Sequence, residues 1–224
     1  MRNPKDNYFK IQAEISNRAK LIAVSKTQST ESILELYQLG QRDFGENYVQ
    51  EWRAKAEALK TAAPEIRWHF IGRLQSNKIK YLIGKTFLIH SVDRRSLLEE
   101  IEKQSAKKNR ITSVLIEMDL AGEENKGGLK PEGLDAFLVQ ANHYSHVQIK
   151  GLMLIPPAAD EAEASRKYFK RLKSLSIEMN EKKIYKHPLI ELSMGMSGDY
   201  EIAMEEGATM VRVGTKLFGE RSNK

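Results

Sequence analysis

The sequence predicts a single closed barrel of eight parallel β/α units. Three observations carry this reading: eight short apolar runs, helical signals between them, and no linker that divides the 224 residues. Parallel strands covered on both faces read as near-continuous apolar runs, such as Ser113-Val114-Leu115-Ile116, and each needs a crossover helix before the next. An open doubly wound sheet shares the alternation but accounts less well for eight runs. The predicted domain is one barrel over residues 1–224.

The runs fall at residues 20–25, 42–45, 67–71, 87–91, 112–119, 148–154, 188–193 and 209–213. The second is the weakest, being short and carrying Arg42 and Asp43. After the first run, Thr30 precedes Ile33, Leu34, Leu36, Tyr37 and Leu39 at helical spacing, with Gly40 as a stop. Asp93 opens a helical segment through Leu97, Leu98 and Ile101. Pro131-Glu132 opens another, with Leu134, Phe137, Leu138 and Val139 on its apolar side; a first-turn proline sacrifices no intrahelical donor. The segment before the first run, about residues 8–20, is short and predicts a truncated opening helix under the barrel.

Composition narrows the function classes. A hydrophobic fraction of 41% sustains a large core, while no apolar stretch reaches membrane-spanning length. The absence of cysteine excludes disulfides and thiolate chemistry and agrees with a cytoplasmic setting. The net charge of +6 raises nucleic acid as a partner. However, Lys107-Lys108-Asn109-Arg110 and Lys182-Lys183 are interleaved with Glu99, Glu100, Glu102, Glu178 and Glu181, without stacking aromatics. They read as solvated helix faces, and no nucleic-acid or membrane partner is expected.

In such a barrel, function gathers at the C-terminal ends of the strands. Lys26 ends the first run, where a desolvated lysine can clamp phosphate or trap a carbonyl as a Schiff base; an ordinary lysine with its stem along the strand end fits the position too. Glu46-Asn47-Tyr48 follow the second run, and residues 72–78 the third. Met194-Gly195-Met196-Ser197-Gly198 and Gly214-Thr215 follow the last two, where barrels commonly bind phosphate. Glycine admits close backbone approach and Ser197 and Thr215 offer hydroxyls, although helix-capping turns look the same. Arg212 interrupts Met210-Val211-Arg212-Val213 and is costly to bury alone. It is either a donor at the barrel mouth or the partner of a strand-end acid such as Glu191. His69 and His90 read as satisfied barrel histidines, His143 and His146 as a surface pair lacking a third ligand, and no metal is expected.

Taken in order, Ala23-Val24-Ser25-Lys26, the block Phe44-Gly45-Glu46-Asn47-Tyr48-Val49-Gln50-Glu51, Trp68-His69-Phe70-Ile71-Gly72 with Leu74-Gln75-Ser76-Asn77-Lys78, Gly151-Leu152-Met153, Ser193-Met194-Gly195-Met196-Ser197 and Val211-Arg212-Val213-Gly214-Thr215 closely resemble the pyridoxal phosphate homeostasis protein family over about residues 21–219. The resemblance implies a TIM-type barrel of the alanine racemase N-terminal kind (fold-type III) that holds pyridoxal 5'-phosphate as a Schiff base on Lys26. It places Arg212 at the ring nitrogen, Asn47 beside the ring, and Ser197, Gly214 and Thr215 at the phosphate, with Ser193 contributing. A permanent cation at the ring nitrogen disfavours ring protonation and weakens the electron sink.

The resemblance further implies vitamin B6 homeostasis, delivery to B6-dependent apoenzymes and amino-acid balance, without turnover; a monomer or weak homodimer is expected. The racemase C-terminal β domain, which supplies a second base, is not expected after the eighth unit. The alternative is a pyridoxal phosphate-dependent amino-acid racemase. Gly198, where relatives often carry a polar residue, predicts a looser phosphate loop. Lys126, in Glu123-x-x-Lys126-x-Gly128, matches another family block and reads as a solvated loop lysine or a second reactive amine.

Overall fold

The computed structural model describes residues 4–122 and 127–219, and each of the eight runs overlaps a strand. The strands are β1 (Lys20–Val24), β2 (Asp43–Glu46), β3 (Arg67–Phe70), β4 (Leu88–Val92), β5 (Thr112–Glu117), β6 (Val147–Met153), β7 (Glu191–Ser193) and β8 (Met210–Val213). They pair in parallel in chain order, and β8 closes on β1 from Lys20↔Met210 to Ala23↔Val213. The helices are α1 (Pro4–Ile15), α2 (Thr30–Gln38), α3 (Val49–Ala58), α4 (Ile79–Leu82), α5 (Arg95–Lys107), α6 (Leu134–Ala141), α7 (Arg166–Lys182), α8 (Tyr200–Glu205) and α9 (Thr215–Phe218). The predicted closed barrel is therefore the observed fold.

The boundaries differ from the sequence prediction for local reasons. The weak second run is a fully buried strand, because its charges are paired: Asp43 with Arg67 and His69, and Glu46 with Ser25 and Lys55. The seventh strand is shorter than residues 188–193. Pro188 has no N–H to give, and Leu189 is tied to α7 through Asn180 Oδ1 (2.8 Å) and Ser176 Oγ (2.7 Å). The fifth ends at Glu117, because Asp119 turns the chain by accepting from the N–H groups of Ala121 and Gly122. The opening helix is a full 12 residues, a correction to the expected truncation. It packs beside α2, α8, α9 and β1.

Two cores follow from strand alternation. Outward residues such as Leu21, Ala23, Phe44, Val114, Ile116 and Val211 merge with the helical stripes, of which Phe169, Leu172, Leu175 and Met179 on α7 are typical. Burial of each of the larger of these side chains contributes about 1.5–3 kcal/mol. Inward residues Ile22, Leu88, Leu115, Met153 and Met210 form a separate cluster. The same alternation turns His90, two residues after Leu88, and Arg212, two after Met210, into the barrel interior. The ordinary small-molecule site of this architecture, the C-terminal rim, thus sits above a floor that is partly polar.

Candidate functional site at the C-terminal rim of the barrel

Half-buried Lys26 lies in the turn just past β1, and neighbouring charges hold that turn. Ser25 Oγ donates to Glu46 Oε1 at 2.6 Å, and Lys55 Nζ donates to the Ser25 carbonyl (2.6 Å), to Glu46 (2.9 Å) and to Glu51 (2.6 Å). Glu51 also accepts from the backbone N–H of Thr27, whose φ of +64° is left-handed. Burial pushes the Glu46 carboxyl up, opposed by Ser25 and Lys55. The sequence signal for this clamp was available: Lys55 is four residues after Glu51 and so shares its helical face.

Asn47 follows β2. Its Oδ1 is buried with no hydrogen-bond partner among the described residues. Gly72, after β3, lets the two loops approach: a Cβ there would lie 2.2 Å from the Asn47 carbonyl oxygen and 2.6 Å from its Cα.

The β7 and β8 loops meet on the other side of Lys26. Ser197 Oγ accepts from the backbone N–H groups of Gly214 (3.4 Å) and Lys216 (3.3 Å), so two main-chain donors converge on one point. Asp199 fixes that loop by accepting from Met196 N–H at 2.7 Å. Gly195 adopts φ +87°, accepts on its carbonyl oxygen from the Arg212 backbone N–H, and leaves no room for a Cβ against Ala203 and Tyr200. Thr215 opens α9 at the exposed rim, Gly198 is exposed with open space around it, and Gly214 lies against Val24, two residues before Lys26. Lys126 lies outside the described residues.

Arg212 is almost wholly buried. Its Nη1 donates to the carbonyl and the Oγ of Ser193, both at 2.7 Å, and its Nη2 to the Leu154 carbonyl at 2.8 Å. Glu191 accepts instead from Thr209 Oγ1, so the ion pair entertained from the sequence is not formed. Burial lowers the guanidinium to about 10, against the pull of Glu117 and Asp199, and it stays charged at neutral pH. The two N–H groups left, on Nε and Nη2, have no protein acceptor among the described residues.

Beneath Arg212, Ser193 Oγ lies 2.9 Å from His90 Nδ1, His90 Nε2 lies 2.9 Å from His69 Nδ1, and His69 Nε2 lies 2.9 Å from Asp43 Oδ1. Both histidines are satisfied inside the barrel, as predicted. Burial lowers both below the ordinary histidine value, despite Asp43 beside His69. His143 and His146 do not join the site; His146 Nδ1 pairs with Glu102.

Glu117, at the end of β5, is a rim residue that sequence reasoning missed. Burial and the neighbouring Asp93 push it up to about 7, against Arg212 and Arg73. Its position after a barrel strand was the available signal. Two sizeable clefts open on the surface, and one of them reaches this rim. One of about 780 Å³ runs along α3 past Trp52, Arg53 and Lys85, and contains none of these groups. Another, of about 530 Å³, reaches Asn47 together with Arg73, Lys78 and Arg94. Side-chain chemistry locates the site better than cleft size.

Residues 2–222 match the family described as alanine racemase, N-terminal domain. The chain is 50% identical over 205 residues to the pyridoxal phosphate homeostasis protein of Aquifex aeolicus, covering 92% of this chain and 88% of that one. It is 37% identical to the protein of that name from Homo sapiens, covering 90% and 76%. Among solved structures it superposes on PipY of Synechococcus elongatus PCC7942 with PLP bound at a TM-score of 0.90 and 36% identity, covering 97% of this chain and all of PipY. On alanine racemase of Clostridium difficile the TM-score is 0.77 at 16% identity, and 58% of that chain is covered, a likeness of fold alone. Barrel, rim chemistry and these likenesses agree: the chain belongs to the pyridoxal phosphate homeostasis protein family, built on the alanine racemase N-terminal-type barrel.

Proposed function

We propose that this protein holds pyridoxal 5'-phosphate as a Schiff base on Lys26 and serves vitamin B6 homeostasis, delivery to B6-dependent apoenzymes and amino-acid balance, without turnover of its own. The observation that carries the reading is the convergence on adjacent strand ends of Lys26, the Gly214 and Lys216 N–H donors at Ser197, and Arg212 with spare N–H groups. The residues fit such a group. An unprotonated ring nitrogen is the acceptor that the buried guanidinium lacks, and the orphaned Asn47 amide oxygen leaves a polar contact unused.

When bound, the cofactor supplies an electrophilic aldehyde carbon. Lys26 would be the amine for it, while Gly214, Ser197 and Thr215 would hold the phosphate and Asn47 would lie beside the ring. Ser193 acts through Arg212, whose Nη1 it anchors. A fixed cation at the ring nitrogen favours retention over carbanion chemistry, which supports a carrier rather than a racemase. The protein acts in the cytoplasm as a monomer or weak homodimer, and the lack of cysteine supports that compartment.

Borohydride reduction followed by peptide mass spectrometry tests the tether. A reduced pyridoxyl adduct on Lys26, absent from Lys26→Ala, is expected. Full yellow colour in Lys26→Ala with no lysine adduct would overturn the reading.

A further inference from the structure

We propose that His69 and His90 are positioning residues, which orient Arg212 so that its spare N–H groups face the cofactor ring nitrogen. The inference rests on the proposed function and adds to it a relay that crosses the barrel interior from Asp43 to Arg212.

The direction of every bond in the relay follows from its two ends. Arg212 can only donate, so Ser193 Oγ accepts from it at 2.7 Å. At the other end, burial would raise Asp43, but hydrogen bonds from His69 and Arg67 outweigh it and hold the carboxyl below the ordinary value; an ionised carboxylate can only accept. His69 therefore carries its proton on Nε2 and accepts on Nδ1 from His90 Nε2–H. His90 in turn accepts on Nδ1, and the one donor facing it among the described residues is the Ser193 hydroxyl.

Reversing the relay would put a ring lone pair against the Asp43 carboxylate, or require a doubly protonated histidine in a fully buried position. Each neutral group thus accepts once and donates once. The Ser193 hydroxyl proton is drawn away from Arg212, leaving an oxygen lone pair for the guanidinium. Arg212 is pinned along its Nη1 edge, with Nε and the second Nη2 hydrogen as the donors left over.

The relay can be read first without any cofactor. Long-range ¹H–¹⁵N correlation spectra of the apo-protein at pH 7 should show both histidines protonated on Nε2, and an Nδ1–H tautomer of His90 would overturn the relay. The role toward the cofactor is tested with two variants. His90→Asn presents an amide oxygen where Nδ1 stood, whereas His90→Gln reaches toward His69 and leaves Ser193 without its acceptor.

With pyridoxal 5'-phosphate labelled with ¹⁵N in the ring, His90→Asn should keep the wild-type ring-nitrogen shift and bind within about twofold of wild type, whereas His90→Gln should bind about tenfold more weakly with a displaced shift. A residue that merely fills space would give the opposite ranking, since Gln is nearer the histidine in size. Equal shifts and affinities for Asn and Gln would overturn the positioning role. Wild-type protein that fails to bind the cofactor would overturn the proposed function, and with it the role, while the tautomers would still report whether the relay exists.

Discussion

Lys55 donates to the main-chain carbonyl of Ser25 at 2.6 Å, across 30 residues of sequence, and so grips the residue next to Lys26. The same ammonium neutralises Glu46, which is fully buried. Lys55→Met should leave that carboxyl unpaired and destabilise the protein by about 3 kcal/mol, read as a lowered urea midpoint. The variant should also form the Lys26 adduct more slowly. An unchanged midpoint would show that Glu46 is held protonated without Lys55.

Gly72 and Gly198 make a matched pair. Gly72→Ala drives a methyl into the Asn47 backbone, and should destabilise by about 1–3 kcal/mol and loosen cofactor binding. Gly198→Ala enters open space with no left-handed φ to strain, and should stay within about 0.5 kcal/mol of wild type. Chemical denaturation with cofactor titration checks both; equal costs would contradict the contact geometry.

Glu117 gives a pH dependence of definite sign. With its carboxyl raised to about 7 from 4.5, the folded state keeps a proton that the unfolded chain releases. Its favourable contribution is complete below about pH 4.5 and is lost as pH rises through 7. Glu117→Gln should therefore gain on wild type by up to about 2 kcal/mol at pH 8, after allowance for partial solvent access, with the gain shrinking toward pH 5. Urea titrations at the two pH values measure it.

A carrier and a racemase differ in one readout. In D₂O with alanine, the loaded protein should introduce α-deuterium no faster than free pyridoxal phosphate. Exchange well above that background and dependent on Lys26 would move the protein to the catalytic class.

The barrel was legible because parallel strands covered on both faces leave continuous apolar runs, and even the charged second run obeyed the count. Lys26, Arg212 and the β7 and β8 loops were legible because rim position and residue type coincide there. The Asp43–His69–His90–Ser193 relay was not. Strand alternation shows that each residue points inward, but not that four strands bring them into one line. Nor does a run of residues reveal that Pro188 and Asn180 take part of the seventh strand for a helix contact.

Closure of β8 on β1 has a temporal meaning for a chain made from its N-terminus. Lys26 and its clamp belong to the first units, whereas Arg212, Gly214 and Thr215 belong to the last. A partly synthesised chain would possess the lysine proposed as the tether without the groups proposed to retain its ligand. In the proposed site, capture of the cofactor would mark completion of the ring, and the bound group would join the two ends of the polypeptide in the manner of a clasp.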